Sequence, residues 1–349
     1  MATREAITTE DVAAPTRPWV FDADGHVVEP PRVWDELLPA RYRDYAPRVL
    51  QSDGYFRFAC GDRVGFPIPG RSESVGVLVP EPSSQLFGDP MLARLLRAIG
   101  EELSAKGLQM VLFAPQSARD IERLEQYLAG GHVDAVLLLA LHESESLPAR
   151  LQARGIPMVF GGRPRTALQA SYVDVDNHAG GRSATQHLVV QGRRRIAHIA
   201  GPLDGPAARQ RLQGYREALW NAELRSDLVE QGAFDRDSGE LAMARLLATQ
   251  DDIDAVFAAS DAMAAGAMWA LQVLGRRVPD DVAVIGFDDS PIAMATQPPL
   301  SSVRQPVELM GREMAKLALS MSAVHGQSPR QMVLDPELAL RESTVGSPN

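Results

Sequence analysis

Residues 275–289 read GRRVPDDVAVIGFDD, and this stretch decides the fold class. Its apolar run, Val282–Phe287, follows a turn-forming glycine and proline and is followed directly by two carboxylates, Asp288 and Asp289. A short run that is apolar throughout, rather than alternating, is typical of a strand in a parallel sheet covered on both faces. The stretch therefore predicts a buried strand with acidic side chains at its carboxyl end.

The same pattern extends in both directions from this strand. Eight strands are predicted, at Val75–Val79, Met110–Phe113, Ala135–Leu139, Met158–Phe160, Tyr172–Val175, Ile196–Ala200, Val256–Ala258 and Val282–Phe287. Helix-length stretches with a period near 3.6 lie between them, for example Pro90–Lys106, Ser183–Val190, Leu212–Asn221 and Ala262–Leu274. Because one open sheet does not easily hold so many strands, the sequence predicts an α/β fold of two doubly wound parallel-sheet lobes.

Composition excludes several classes of protein. The 349 residues carry 35 Lys and Arg against 45 Asp and Glu, for a formal charge of −10, and Cys60 is the lone cysteine. One cysteine excludes a disulfide framework and an all-cysteine metal cage. No apolar run reaches the ~18 residues of a membrane span, and the first residues lack the apolar region of a secretory signal. We therefore expect a cytoplasmic protein.

Residues 1–70 differ in composition from the rest of the chain. They hold nine of the 20 aromatic residues and eight of the 25 prolines. Phe66–Ser74 is rich in Pro, Gly and Ser, which favours a boundary near Gly70. We expect an atypical N-terminal segment at 1–70 and an α/β domain at 71–345.

Polar side chains follow several predicted strands, where a ligand binds in such a fold. Arg209 and Arg211 lie beyond one strand, Ser260 and Asp261 follow a second, and Asp288 follows a third. Carboxylates, guanidinium groups and hydroxyls that converge suit a hydroxyl-rich ligand such as a sugar. For any single residue, however, a role as a helix N-cap is an equally good interpretation, above all for Ser260 and Asp261.

Five stretches resemble the lactose-repressor (LacI/GalR) family of transcription regulators, in the family's order and over about residues 72–345. They are Asp176-Asn177, RLQGYREAL at 211–219, FAASDAMA at 257–264, GRRVPDDVAVIGFDD at 275–289 and PPLSSVRQP at 298–306.

The resemblance implies a periplasmic-binding-protein-like effector domain that pairs as a homodimer. Its lobes are expected at about 72–161 plus 303–326 and at about 162–290 plus 327–345. The matched positions imply effector contacts by Ser84, Phe87, Arg163, Arg211, Phe234, Ser260 and Asp288. Phe234 would be an aromatic platform beneath a sugar ring. One departure concerns the strand Met158–Phe160: members often carry an acid followed by Arg after it, and this chain reads Gly161-Gly162-Arg163.

The basic DNA-binding head of that family is not visible in residues 1–70. This segment has eight Arg, no Lys and eleven acids, a net charge of −3 that opposes phosphate binding. Residues 19–50 instead resemble the opening of amidohydrolase-related metal-dependent hydrolases, in which Asp24 and His26 would match a pair of metal ligands. The (β/α)8 barrel of those hydrolases, which supplies the other metal ligands, needs roughly 250 residues, far more than this segment has. We therefore favour a detached fragment in which both are ordinary polar residues; its origin as a fusion, a rearrangement or a mispredicted start stays open.

These observations predict a LacI-type transcription regulator, a repressor by descent, that binds a small-molecule effector and is not an enzyme. No cofactor and no catalytic metal are expected. No GxGxxG, P-loop, HExxH or GxSxG motif occurs. The alternatives are a stand-alone small-molecule binding protein without DNA binding and, less favoured, a metal-dependent hydrolase.

Overall fold

The computed structural model describes residues 47–52, 55–60, 63–69, 73–79, 90–139, 147–164, 170–323 and 328–345. The chain separates into two compact units, Met1–Ser72 and Glu73–Asn349. In the smaller unit, β1 (Pro47–Ser52), β2 (Tyr55–Cys60) and β3 (Arg63–Pro69) form an antiparallel sheet in that order. Asp24 and His26 lie outside the described residues.

The larger unit holds two six-stranded sheets. Its strands are β4 (Ser74–Leu78), β5 (Gln109–Phe113), β6 (Ala135–Leu138), β7 (Met158–Gly161), β8 (Ser171–Val175), β9 (Ile196–Ala200), β10 (Val229–Gln231), β11 (Ala255–Ala258), β12 (Ala283–Asp288), β13 (Ser301–Arg304), β14 (Gln331–Leu334) and β15 (Glu337–Ala339). The first sheet has the order β14-β8-β7-β6-β4-β5, and the second has the order β10-β9-β11-β12-β13-β15. Only β15 is antiparallel among these described pairings, since it runs against β13.

Helices connect the strands of both sheets. They are α1 (Pro90–Ser104), α2 (Ala118–Ala129), α3 (Leu147–Ala153), α4 (Asn177–Val190), α5 (Pro206–Asn221), α6 (Arg236–Thr249), α7 (Asp261–Val273), α8 (Pro291–Ala295), α9 (Val307–Ala323) and α10 (Glu342–Val345). Within the described ranges, no helix is both long and apolar enough to cross a membrane.

Each sheet is buried on both faces, as its apolar strands predict. In β4, Val75 and Val77 pack into one cluster while Leu78 packs into another on the opposite face. In β9, Ile199 and Ile196 divide in the same way between two clusters. The predicted fold class, two doubly wound parallel-sheet lobes, is confirmed.

The chain crosses between the sheets at three places, and these places correct the predicted lobe limits. The crossings follow β8, β13 and β14, so they lie at about residues 176, 305 and 335. The prediction placed them after Phe160, near Ser290–Arg304 and near Gln327. Ser171–Val175 belongs to the first sheet because it pairs with β7, and Gln331–Leu334 belongs there because it pairs with β8.

Two glycines bring α4 and α5 into backbone contact on the second sheet. A Cβ atom built at Gly181 would lie 2.4 Å from the carbonyl oxygen of Arg211, and one at Gly214 would lie 2.2 Å from that of His178. No side chain fits at either position without moving a helix. The close crossing fixes the backbone of α5 at Arg211.

Candidate functional site

The structure places five of the predicted site residues at the carboxyl ends of the strands or just beyond them. Arg163 follows β7, Phe234 lies between β10 and α6, Ser260 follows β11, and Asp288 is the last residue of β12. Arg211 lies in α5, the helix after β9. Ser84 and Phe87 lie outside the described residues.

Arg211 is a buried cation held from several directions, with 6% of its surface exposed. Its Nε donates to Oδ1 of Asn177 at 2.9 Å, and its Nη1 donates to the carbonyl of Ala259. The guanidinium carbon lies 3.6 Å from the ring centroid of Phe287. A planar guanidinium fixed by two acceptors and an aromatic face has a defined orientation, which suits directional recognition of hydroxyl or carboxylate groups.

Asp288 lies beside Arg211 in an unusual backbone conformation. Its Oδ1 is 3.8 Å from Nη1 of Arg211 and accepts a 2.6 Å hydrogen bond from Nε2 of Gln305. Its φ angle is +110°, which costs a non-glycine residue about 1–3 kcal/mol. Such conformations concentrate at functional sites, since the surrounding structure must hold them. Arg211 and Asp288 thus form a charged pair that the fold positions together.

Ser260 and Asp261 have structural roles. The Ser260 hydroxyl accepts from the backbone N–H of Met263 at 3.2 Å, so it is the N-cap of α7. The Asp261 carboxylate accepts from the N–H of Ser290 at 2.6 Å and from the hydroxyl of Ser302. Burial raises the pKa of Asp261 to about 6. The N-cap interpretation accounts for Ser260, whereas its role as an effector contact stays a prediction.

Phe234 covers the backbone at the carboxyl end of β9. Its φ angle is +62°, and its ring lies so close to Gly201 that a Cβ atom there would be 2.1 Å from Cζ. The residue is 40% exposed. The Phe234 ring can therefore pack here only because Gly201 has no side chain. The exposed part of the ring suits an aromatic platform for a sugar.

Arg163 pairs with a carboxylate from the neighbouring strand. Its Nε lies 3.7 Å from Oδ2 of Asp174 in β8, and its guanidinium carbon lies 5.8 Å from the ring centroid of Tyr172. Burial raises the pKa of Asp174, although the N–H of Val175 and the charge of Arg163 oppose this shift. Asp174 thus places a carboxylate beside Arg163, although the residue before Arg163 in sequence is Gly162 and not an acid.

Asp289, beside Asp288, bonds within the second lobe through its carboxylate and to the first lobe through its backbone carbonyl. Asp289 accepts from Nε of Arg304 and from Nη2 of Arg341, both at 2.6 Å. Burial alone would raise the pKa of Asp289, but these two hydrogen bonds outweigh it and lower the pKa. Arg94 of α1 donates to the Asp289 carbonyl at 3.4 Å and to Glu308 of α9 at 2.9 Å. The ends of β12 and α1 are therefore linked.

Three residues of this site were not predicted as such. Asn177 bonds Arg211, Gln305 bonds Asp288, and Asp174 pairs with Arg163. Asn177 and Gln305 lie within two of the stretches that resemble the LacI family, which was the available signal. Asp174 lies in a strand and carries no comparable signal, because sequence alone does not show which strand β7 pairs with. Among the described residues, no cluster of three or more His, Cys, Asp or Glu could hold a metal ion.

Comparison with known proteins supports the fold and identifies the family. Residues 185–344 match a family model described as a periplasmic binding protein-like domain. The chain is 46% identical over 313 residues to the HTH-type transcriptional regulator CelR of Thermobifida fusca, covering 88% of this chain and 91% of CelR.

Solved structures agree. A structure titled transcriptional regulator CelR-cellobiose complex has a TM-score of 0.76 and 49% identity, covering 78% of this chain and 85% of that one. A LacI-family regulatory protein from Chloroflexus aggregans has a TM-score of 0.70 and 29% identity, covering 78% and 99%. These relatives are transcriptional regulators, which favours regulation over the stand-alone binding protein and the hydrolase. The chain belongs to the LacI family of transcriptional regulators.

Proposed function

We propose that this regulator binds a small sugar of the cellobiose class between its two lobes. Arg211 and Asp288 would bond the sugar hydroxyls from the second lobe, and Phe234 would lie beneath a sugar ring. Arg163 would contact the sugar from the first lobe, together with Ser84 and Phe87. Ser260 would contribute its hydroxyl while it caps α7.

The observation that carries this proposal is the orientation of Arg211. Its guanidinium is buried, stacked on Phe287 and 3.8 Å from Asp288, so a donor fork and an acceptor are held side by side. Such a pair matches neighbouring hydroxyl groups, each of which both donates and accepts. The similarity to a regulator solved with cellobiose supports the choice of sugar class.

Thermal unfolding with a panel of ligands tests this proposal. The panel contains cellobiose, glucose, ribose and adenosine, and isothermal titration calorimetry follows for any that stabilises the chain. We expect cellobiose at 100 times its Kd to add about 2.7 kcal/mol to the free energy of unfolding. A panel without any stabilising sugar would contradict the proposal.

We further propose that the regulator acts in the cytoplasm as a homodimer. Its membership of a transcription-regulator family supports this, because such proteins act where the DNA is. The net charge of −3 in residues 1–70 gives no electrostatic support to DNA binding through that segment. We therefore expect no sequence-specific gel shift with the DNA upstream of its gene, and a salt-sensitive specific shift would contradict this expectation.

The amidohydrolase-like stretch at residues 19–50 is proposed to be a fragment without metal chemistry. Replacing Asp24 and His26 together by Ala should leave zinc content and sugar affinity unchanged, since a catalytic zinc typically needs three protein ligands. Elemental analysis of the purified protein and calorimetry measure both. One bound zinc per chain that disappears in the double variant would refute the fragment interpretation.

A further inference from the structure

A buried amide lies at the first crossing between the lobes. Asn177 is 3% exposed and is the first residue of α4, just after β8. Its Nδ2 donates to the carbonyl of Val175 at 3.0 Å and to Oδ1 of Asp174 at 3.4 Å, and its Oδ1 accepts from Nε of Arg211. One side chain therefore bonds the last strand before the crossing, in the first lobe, and the buried arginine of the second lobe.

The chemistry of its partners fixes the orientation of this amide. The Arg211 guanidinium only donates, whereas the Val175 carbonyl and the Asp174 carboxylate only accept. A reversed amide would oppose like groups on both sides. A carboxylate at position 177 would still accept from Arg211, but it would face the Asp174 carboxylate and the Val175 carbonyl. The position therefore requires a group that donates in one direction and accepts in the other.

We propose that Asn177 is a positioning residue that ties the orientation of Arg211 to the angle between the lobes. The inference rests on the proposed function, because Arg211 is taken to bind the effector. The backbone at residue 176 is one of the three crossings, so a rotation of the lobes changes the torsions next to Asn177. Only an angle that satisfies all its bonds holds Arg211 in the orientation seen here.

This arrangement would make effector binding depend on closure. Without the Asn177 contact, Arg211 keeps the Ala259 carbonyl and the Phe287 ring, but its plane can turn about the contact to Ala259. A ligand that needs the fixed orientation then favours one angle between the lobes, and this preference is what shifts a conformational equilibrium. Asn177 acts through Arg211 and need not touch the ligand.

Two variants and one control separate the two directions of bonding. Asn177→Ala removes both, whereas Asn177→Asp keeps the acceptor for Arg211 and removes the donor to β8. Asn221→Ala is the control, because Asn221 is an exposed asparagine at the end of α5. Calorimetry gives the Kd for cellobiose. The angle between the lobes is followed by electron-resonance distances between two spin labels. The labels are attached to Gln152→Cys in the first lobe and Gln272→Cys in the second, both exposed positions, in a Cys60→Ser background.

We expect Asn177→Ala to bind cellobiose about tenfold more weakly or worse, as for the loss of a hydrogen bond to a charged group. Its distance distribution should be broader than that of the parent without ligand. Asn177→Asp should show the same broadening and bind cellobiose more weakly than the parent but more tightly than Asn177→Ala, because it keeps the acceptor for Arg211 and loses only the restraint on the lobes. Asn221→Ala should match the parent in both measurements. A merely structural role would lower the melting temperature without broadening the distances of the folded protein.

Unchanged distances in Asn177→Asp would overturn this inference even if Asn177→Ala did not fold. Unchanged cellobiose affinity in a folded Asn177→Ala would also overturn it, while the proposed function would stand. If the parent itself binds no sugar, the proposed function fails, and the ligand-free distances still decide whether Asn177 restrains the lobes.

Discussion

The two lobes hold their arginines in different ways. In the second lobe, Arg211 is buried and bonded to Asn177 and Ala259. In the first lobe, the Arg163 side chain is 47% exposed and lies 3.7 Å from Asp174. The second lobe thus carries a preformed half of the proposed site, whereas the first carries a cation that a ligand would be able to reorient. This difference predicts that substitutions in the second lobe affect both stability and binding, and those in the first affect binding alone.

Replacing Arg211 by Met should have the largest effect. The change removes the donor fork and leaves Asp288 without its neighbouring cation, so we expect cellobiose affinity to fall about a hundredfold or more. The free energy of unfolding should fall by about 2–4 kcal/mol, because a buried charge loses its partner. Calorimetry and urea denaturation measure the two effects. Arg216→Met, an exposed change on the same helix, is the control. Loss of binding without loss of stability would break the comparison.

Low pH should destabilise the second lobe through a histidine that is buried in its neutral form. His198 is fully buried, bonded to the Phe257 carbonyl at 2.8 Å and stacked on Tyr215, and burial lowers its pKa to about 3. The unfolded chain binds this proton near pH 6.5 and the folded chain does not, so His198 makes stability fall as the pH drops below 6.5.

His198→Phe should therefore reduce the number of protons taken up on unfolding by about one between pH 6 and 4, which makes the free energy of unfolding depend less on pH. At pH 7 the substitution should lower the free energy of unfolding by about 1–3 kcal/mol. Urea denaturation at several pH values measures this. Asp261, whose pKa is raised to about 6, contributes in the opposite direction in both proteins and cancels in the difference. Equal slopes for the two proteins would show that His198 is not buried in its neutral form.

Arg163→Ala should have the smallest effect on stability of the three substitutions, while it still weakens cellobiose binding. The Arg163 side chain is 47% exposed and that of Asp174 is 7% exposed. Because Asp174 keeps the N–H of Val175 as a donor, we expect the loss of the 3.7 Å pair to lower the free energy of unfolding by only about 1 kcal/mol. Cellobiose affinity should nevertheless fall about tenfold, by the loss of one charged hydrogen bond. Arg154→Ala is the matched control, since Arg154 pairs with Glu125 at 2.9 Å in the same lobe. A drop in stability as large as that of Arg211→Met would refute the contrast between the lobes.

The sequence predicted the strands of the core well, because runs such as Val282–Phe287 are apolar on both faces and bounded by turns. The edge strands β10, β14 and β15 were missed, since they are short and partly exposed. The buried strand β13 was missed as well, because its residues Ser301–Arg304 include a single apolar side chain. The lobe limits were wrong because Ser171–Val175 is compatible with either sheet, and only pairing decides between them.

The site was predicted through residue types at strand ends, which located Arg211 and Asp288 at one place in the fold. Sequence could not separate a cap from a ligand contact at Ser260, since a hydroxyl before a helix suits both roles. It also could not find Asp174, because the carboxylate that accompanies Arg163 comes from a different strand. Long-range pairing was the missing information in each case.

The close crossing of α4 and α5 has a consequence for engineering. Gly181 touches the backbone of Arg211, so any larger residue there would displace the arginine through its main chain. A mutant library aimed at a new effector should therefore leave Gly181 and Gly214 unchanged and diversify the surroundings of Arg163. The fold thus holds Arg211 in place through its backbone and leaves the surroundings of Arg163 open to change. Selection for altered specificity can therefore act around Arg163 without displacing Arg211.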